Sequence, residues 1–159
     1  MKYVLFIISL ALSITTYGQD FNEDKVTLSN FLKRMYTNTP FEGVKIIEDY
    51  DRTYLISVVS LEKANYTSES IMIRVAQTKA QSQASRFFNG SQINSEFIIK
   101  TTESTVQDSK NTIVETIESI RENSVGFVNE IELLVNFNIE SNKRLLFIYY
   151  KEINKNLKK

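Results

Sequence analysis

The stretch RVAQTKAQSQASRFFNG, from Arg74 to Gly90, decides the fold of this chain. Alanine recurs at every fourth position, and most of the residues between the alanines are polar. This period places the alanines on one face of a helix. Larger apolar residues at the two ends complete that face, which comprises Met72, Ile73, Ala76, Ala80, Ala84, Phe87 and Phe88. The sequence therefore predicts a long helix whose narrow middle approaches a sheet closely; the same face could instead pack against a second helix in a dimer.

The ends of this helix, and a second helix before it, also follow from the sequence. Either Thr67 or Ser68 can cap the first turn of the long helix, and Gly90 suits the left-handed position that follows a helix. A short N-terminal helix is predicted by apolar residues at helical spacing, namely Val26, Leu28, Phe31, Leu32 and Met35. Asp24 can cap this helix, and Pro40, the only proline of the chain, ends it.

Between the two helices the chain changes to a β-strand pattern. The segments Val44–Glu48 and Tyr54–Leu61 are rich in β-branched and aromatic residues. The polar stretch between them, Glu48–Arg52, suits a hairpin turn. The sequence therefore predicts two antiparallel strands here, with Tyr54–Leu61 in the centre of the sheet.

The segment after Gly90 is harder to assign. Phe97–Val106 is rich in β-branched residues and predicts a strand. Thr112–Glu122 fits two structures: the spacing of Ile113, Ile117 and Ile120 matches a helix, whereas the repeated Thr, Ile and Val favour a strand paired with Phe97–Val106. We predict the strand.

The end of the chain predicts a final hairpin and completes the fold class. Glu130–Ile139 and Arg144–Ile153 are the strands, joined by a turn at Glu140–Lys143. Residues Leu145–Tyr150 are apolar on both faces of their strand and therefore belong in the interior of the sheet. We expect an α+β fold with an antiparallel sheet of five or six strands. The alanine-striped helix packs on one face, and the other face can meet water.

The first 18 residues have the features of a secretory signal peptide. Lys2 precedes the apolar run Tyr3–Ile14, and small residues stand three positions and one position before a cleavage point that follows Gly18. The apolar run is shorter than the roughly 20 residues that a transmembrane helix needs, although a retained anchor is the alternative. We expect a mature chain that begins at Gln19, with a single domain over residues 19–153 and a basic tail over 154–159. It would be periplasmic or extracellular, without a stable membrane anchor.

Composition excludes several functions. The chain has 19 basic and 19 acidic residues, and Lys2 is the only charged residue of the leader, so no excess of positive charge favours nucleic acid as a partner. Without cysteine there is no disulfide and no site for lipid attachment. Without histidine or cysteine, Ser-His-Asp and Cys-His catalysis and the usual zinc sites are impossible. We predict no catalytic, cofactor-binding or metal-binding residues.

One motif nevertheless suggests a hydrolase. The sequence Asp49-Tyr-Asp51-Arg-Thr53 follows an apolar strand and resembles the nucleophile loop of haloacid-dehalogenase-type phosphatases. That resemblance implies one aspartate as nucleophile and the other as acid/base with magnesium. Such chemistry needs a parallel α/β sheet, which the order of elements here does not predict, so we favour a plain polar turn. Glu48, Asp49 and Asp51 could also bind calcium.

A weak resemblance covers most of the mature chain, from Tyr54 to Ile153. It consists of a strand, the alanine stripe, a Ser/Thr/Glu-rich stretch, the segment Ser124–Val128 and a final hairpin that ends in Tyr149-Tyr150-Lys151. In this it is similar to the periplasmic lipoprotein-20 family and to the N-terminal domain of the flagellar assembly protein FlgT. The resemblance implies an exported, non-catalytic, envelope-associated binding or structural domain. Its partner would be an envelope protein or a second copy of the chain.

Overall fold

The computed structural model describes residues 23–49, 52–90, 97–101, 117–118, 120–121 and 124–153. The predicted leader, Gln19, the tail 154–159 and residues 102–116 lie outside this part. Three α-helices are described: α1 (Glu23–Asn38), α2 (Glu69–Gly90) and α3 (Ser124–Asn129). The strands are β1 (Gly43–Asp49), β2 (Arg52–Glu62), β3 (Ile98–Lys100), β4 (Glu132–Ile139) and β5 (Arg144–Glu152), and a short 3-10 turn spans Lys63–Asn65. The α+β fold is confirmed.

The five strands form one sheet in the order β3-β1-β2-β5-β4. The β1–β2, β2–β5 and β5–β4 pairs are antiparallel, but β3 runs parallel to β1, with Ile98 opposite Ile46. The prediction of a purely antiparallel sheet is therefore wrong. A hairpin forces neighbouring strands to run antiparallel, whereas β3 follows the long connection through α2, which allows a parallel pair.

Helices cover both faces of the sheet. α2 lies on one face over a core that includes Leu55, Val59 and Phe147. α1 lies on the other face, where Leu28 and Leu32 pack with Ile56 and Ile148 among others. The expected water-exposed face is therefore occupied by α1, because the apolar stripe of this helix must also be buried. The central position of β2 is confirmed, since its residues 53–61 are all buried.

The alanine stripe is buried against the chain's own sheet. Ala76, Ala80 and Ala84 are completely inaccessible to solvent. The helix lies so close to β2 that the Ser57 hydroxyl donates a hydrogen bond to the Ala80 carbonyl oxygen at 3.1 Å. The Tyr149 hydroxyl of β5 donates similarly to the Ile73 carbonyl oxygen at 2.9 Å, and burial raises the pKa of Tyr149 to about 12. The stripe thus serves close helix–sheet packing, which the sequence predicted, and its own sheet covers the face that a dimer would have used.

The helix ends agree only in part with the sequence analysis. Ser68 is confirmed as the cap of α2, because its hydroxyl accepts a hydrogen bond from the Ile71 N–H at 3.4 Å. Gly90 is the last helical residue and has no positive φ, so its predicted left-handed role is wrong; glycine tolerates a helical backbone as well. Asp24 lies inside the first turn of α1 and pairs with Arg52 instead of capping the helix.

The predicted strand at Thr112–Glu122 is wrong at the positions that the structure describes. Ile117, Glu118, Ile120 and Arg121 are helical. Ile117 and Ile120 are buried in the core beneath α2, so their helical spacing prevailed over the β-propensity of the segment. In the strand predicted from Phe97, the described part contains only Ile98–Lys100 as β-structure.

The final hairpin is confirmed and has a strained turn. β4 and β5 are paired up to Ile139 and Arg144, and the turn residues Glu140, Ser141 and Asn142 have φ of 50°, 52° and 71°. Three successive non-glycine residues in the left-handed region store strain that the surroundings must hold. Lys63 holds the turn: its N–H donates to the Lys143 carbonyl oxygen at 3.0 Å, and its Nζ donates to Asn142 Oδ1 at 2.5 Å.

Candidate functional site

Two clefts lie at opposite ends of the sheet. The first, which we call the charged cleft, has a volume of about 400 Å³ and lies where β2 begins and β5 ends. Its lining residues are Asp24, Lys25, Leu28, Arg52, Tyr54, Glu130, Glu132, Tyr150, Lys151 and Glu152. Seven of these ten residues are charged, so this cleft is a candidate for acid–base chemistry.

The charges in this cleft neutralise one another across elements that are distant in sequence. Lys25 Nζ of α1 donates to Glu132 Oε1 of β4 at 3.0 Å, and the Tyr150 hydroxyl donates to the same oxygen at 3.0 Å. Arg52 pairs with Asp24 at 2.7 Å, and Lys151 pairs with Glu130. The contacts of Asp24 and Lys25 fasten the first turn of α1 to the sheet.

The electrostatics of the charged cleft favour these pairs over proton transfer. Hydrogen bonds from Lys25 and Tyr150 lower the pKa of Glu132, although partial burial opposes this effect. Hydrogen bonding to Tyr150 and Glu132 raises the pKa of Lys25. Burial raises the pKa of Tyr54 and of Tyr150 above 10. Each of these four shifts moves the pKa away from neutrality, whereas a general acid or base works best with a pKa near the operating pH. The shifts of Lys25 and Glu132 favour the charged forms of both groups and therefore their ion pair, which we call the clasp.

Replacing Glu132 with glutamine tests this clasp. We expect the free energy of unfolding at pH 7 to fall by up to about 1 kcal/mol, the range for exposed ion pairs. Because the pKa of Glu132 is lower in the folded protein, its contribution is complete above about pH 4.5 and is lost as the pH falls through the folded value. Urea unfolding at a series of pH values from 7 downward should therefore show a difference from the wild type that shrinks as the pH falls below about 4.5. Glu69→Gln makes the same substitution at the other end of the sheet, outside these ion pairs, and is the matched control.

The second cleft, which we call the edge groove, lies at the other end of the sheet and has a volume of about 610 Å³. Its lining residues are Lys33, Lys63, Tyr66, Ser68, Glu69, Met72, Asn136, Phe137, Asn138 and Leu145. They come from both sides of the sheet, since Lys33 belongs to α1 and Ser68–Met72 to the start of α2. β4 runs between these two walls.

β4 forms one border of the sheet, so the groove surrounds a strand edge. In the described part of the chain, β4 pairs only with β5. Its side chains alternate: Phe137 is buried on the α1 side, while Asn136 is partly exposed and Asn138 exposed on the other side. Lys33 Nζ lies 6.0 Å from the centre of the Phe137 ring. The groove therefore offers backbone, amide and ammonium groups over an apolar floor.

The Asp49 motif lies elsewhere and is engaged in local contacts. Asp49 is the last residue of β1, and its Oδ1 accepts a hydrogen bond from the Thr101 hydroxyl at 2.5 Å. The Glu48 carboxylate pairs with Lys100 at 3.2 Å. Thr53 is buried at the start of β2, and Asp51 lies outside the described residues. Neither cleft is lined by Asp49, and no group of three or more potential metal-binding side chains occurs among the described residues.

Sequence reasoning did not find either cleft. Lys25 and Glu132 are 107 residues apart, so no local spacing links them. The alternation Asn136-Phe137-Asn138 marks a strand, but only the strand order reveals that this strand is at the border.

Comparison with protein-family models, with curated proteins and with solved structures finds no match for the chain. Within the residues that the structure describes, no helix has both the length and the apolar character that a membrane crossing requires.

Proposed function

We propose that this chain is an exported, non-catalytic binding domain of the cell envelope, and that it holds its partner in the edge groove. The observation that carries the proposal is the border strand β4, which lies between two helix-derived walls in the described structure. A strand edge presents N–H and C=O groups to any extended chain that reaches it. The signal-like residues 1–18 support export.

The strained hairpin turn supports the same location. Backbone strain in native proteins clusters at ligand-binding sites and switch regions. Here the strained residues Glu140–Asn142 adjoin the end of β4, and Lys63, which holds the turn, also lines the groove. One residue therefore couples the turn to the wall of the groove.

A hydrolase built on Asp49 and Asp51 is the alternative, and it has less support. Its nucleophile would have to face a concave pocket together with a lysine and another carboxylate. The Asp49 carboxylate instead accepts a hydrogen bond from the Thr101 hydroxyl, and Lys100 forms an ion pair with Glu48 between strands.

Site-specific photo-crosslinking in the native cells tests the proposal. The full chain, with its leader, carries a benzophenone amino acid at Asn138 in the groove or, as a control, at Ser82 on the exposed face of α2. We expect a discrete, ultraviolet-dependent adduct in the envelope fraction from position 138 and none from position 82. Equal adducts from both positions, or none from position 138 in a folded and exported chain, would contradict the proposal.

A further inference from the structure

We infer that the edge groove binds an extended, acidic segment of another protein, which adds to the sheet as a strand beside β4. This inference rests on the proposed function and specifies the chemistry of the partner. In such strand addition, main-chain hydrogen bonds supply affinity, and the walls of the groove select the side chains.

The first argument is that the groove-lining half of β4 lacks the usual protection of a border strand. Sheets protect their edges with charged residues, proline or bulges. From Leu133 to Ile139 the strand has no charged residue and no proline. Its irregularity lies between Leu133 and Val135, outside the groove, whereas residues 136–139 keep a regular register with β5. Within the described residues, the segment in the groove is therefore the part of β4 that can accept another strand.

The second argument concerns the side chains that an added strand would meet. Successive residues of a strand point to opposite faces of the sheet. On the α2 side, the residues of the added strand would contact Tyr66, Met72 and the amides of Asn136 and Asn138. On the α1 side they would contact Lys33 beside the Phe137 ring. The groove thus suits a chain in which apolar and acidic residues alternate.

The third argument is charge complementarity. Lys33 and Lys63 line the groove from opposite walls, and Glu69 at the start of α2 is the only acidic residue among the described residues that line it. Lys33 is exposed, so its ammonium group is accessible to a carboxylate. A second copy of the chain, paired edge to edge about a two-fold axis, would bring the lysines of both grooves together. Like charges facing each other oppose that pairing, so the favoured occupant is a different, acidic chain.

The test is fluorescence anisotropy with three labelled ten-residue peptides and the folded mature chain. The first peptide alternates valine and glutamate, the second alternates valine and lysine, and the third is the acidic peptide with two central prolines. We expect saturable binding of the first, at least tenfold weaker binding of the second, and no binding of the third, since proline cannot pair in a sheet. Binding of the acidic peptide should weaken as salt is added.

Charge variants locate the binding site. Lys33→Glu should weaken acidic-peptide binding about tenfold and strengthen binding of the lysine peptide. Lys79→Glu makes the same charge change on the exposed side of α2 and should leave both unchanged. Binding that is insensitive to peptide charge, or equal effects of the two variants, would overturn the inference.

The remaining outcomes separate this inference from the proposed function. If position 138 crosslinks in cells but the acidic peptide does not bind, the groove is a binding site and the inferred partner chemistry is wrong. If light scattering shows a dimer that Asn138→Pro converts to a monomer, a second copy occupies the groove and the acidic partner is again excluded. If neither crosslink nor peptide binding occurs, both proposals fail.

Discussion

Replacing Phe147 with alanine is expected to lower the free energy of unfolding by about 3–5 kcal/mol, the usual range for removing a buried aromatic ring. Phe147 is completely buried in the centre of β5, opposite Val59 of β2 and Asn136 of β4. Its removal leaves a cavity between the sheet and α2 that a close-packed helix cannot readily fill. Since domains are typically stable by only about 5–15 kcal/mol, this is a large fraction of the total. Urea unfolding followed by circular dichroism measures the effect.

Leu133→Ala is the matched control for this prediction. Leu133 also belongs to the sheet, but it lies on the border strand and 36% of its surface is exposed. We expect Leu133→Ala to lower the free energy of unfolding much less than Phe147→Ala does. Similar losses in the two variants would show that the side of the sheet beneath α2 is not the tightly packed core described above.

The second large effect is expected from Ala80→Leu, which should destabilise the protein by about 1–3 kcal/mol through overpacking. Ala80 has no exposed surface, and its carbonyl oxygen lies within hydrogen-bonding distance of Ser57. A larger side chain must push α2 away from β2 and break that contact. The change in thermal midpoint and in the urea midpoint gives the magnitude.

Ser82→Leu introduces the same side chain on the exposed face of the same helix. It should change stability little, because no packed surface opposes it. If Ala80→Leu were as stable as Ser82→Leu, the alanine stripe would not face the sheet in solution.

Those features of the fold that depend on local patterns could be predicted from the sequence. Helical spacing placed α1 and α2, although α1, with 16 residues, is longer than the short helix predicted. β-Branched runs placed β1, β2, β4 and β5 within two residues of their observed ends. Features that depend on distant partners could not be predicted. The direction of β3 is set by where the chain returns after α2, and the helical structure around Ile117 and Ile120 is set by burial beneath that helix.

The candidate site was beyond prediction for the same reason. Local sequence offered only the Asp49 and Asp51 motif, which is visible without a fold and which we interpreted as a polar turn. The two clefts bring together residues from α1, the connection after β2, and β4, which are far apart in the chain. Only the strand order of the described sheet places Asn136 and Asn138 at a border, where the backbone groups of β4 can pair with another chain.

The interior position of β5, between β2 and β4, also affects when the sheet can close. β2 is flanked by β1 and β5, and its long pairing with β5 joins Tyr54 to Glu152, which lies in the last described strand. Contacts of such large sequence separation form slowly, because bringing distant parts of the chain together costs loop-closure entropy before the contacts can stabilise the structure. During synthesis, the core on both faces of β2 therefore cannot be completed until β5 has been made. For a chain that we propose is exported, late closure of the sheet favours passage through a translocation pore before the domain has folded.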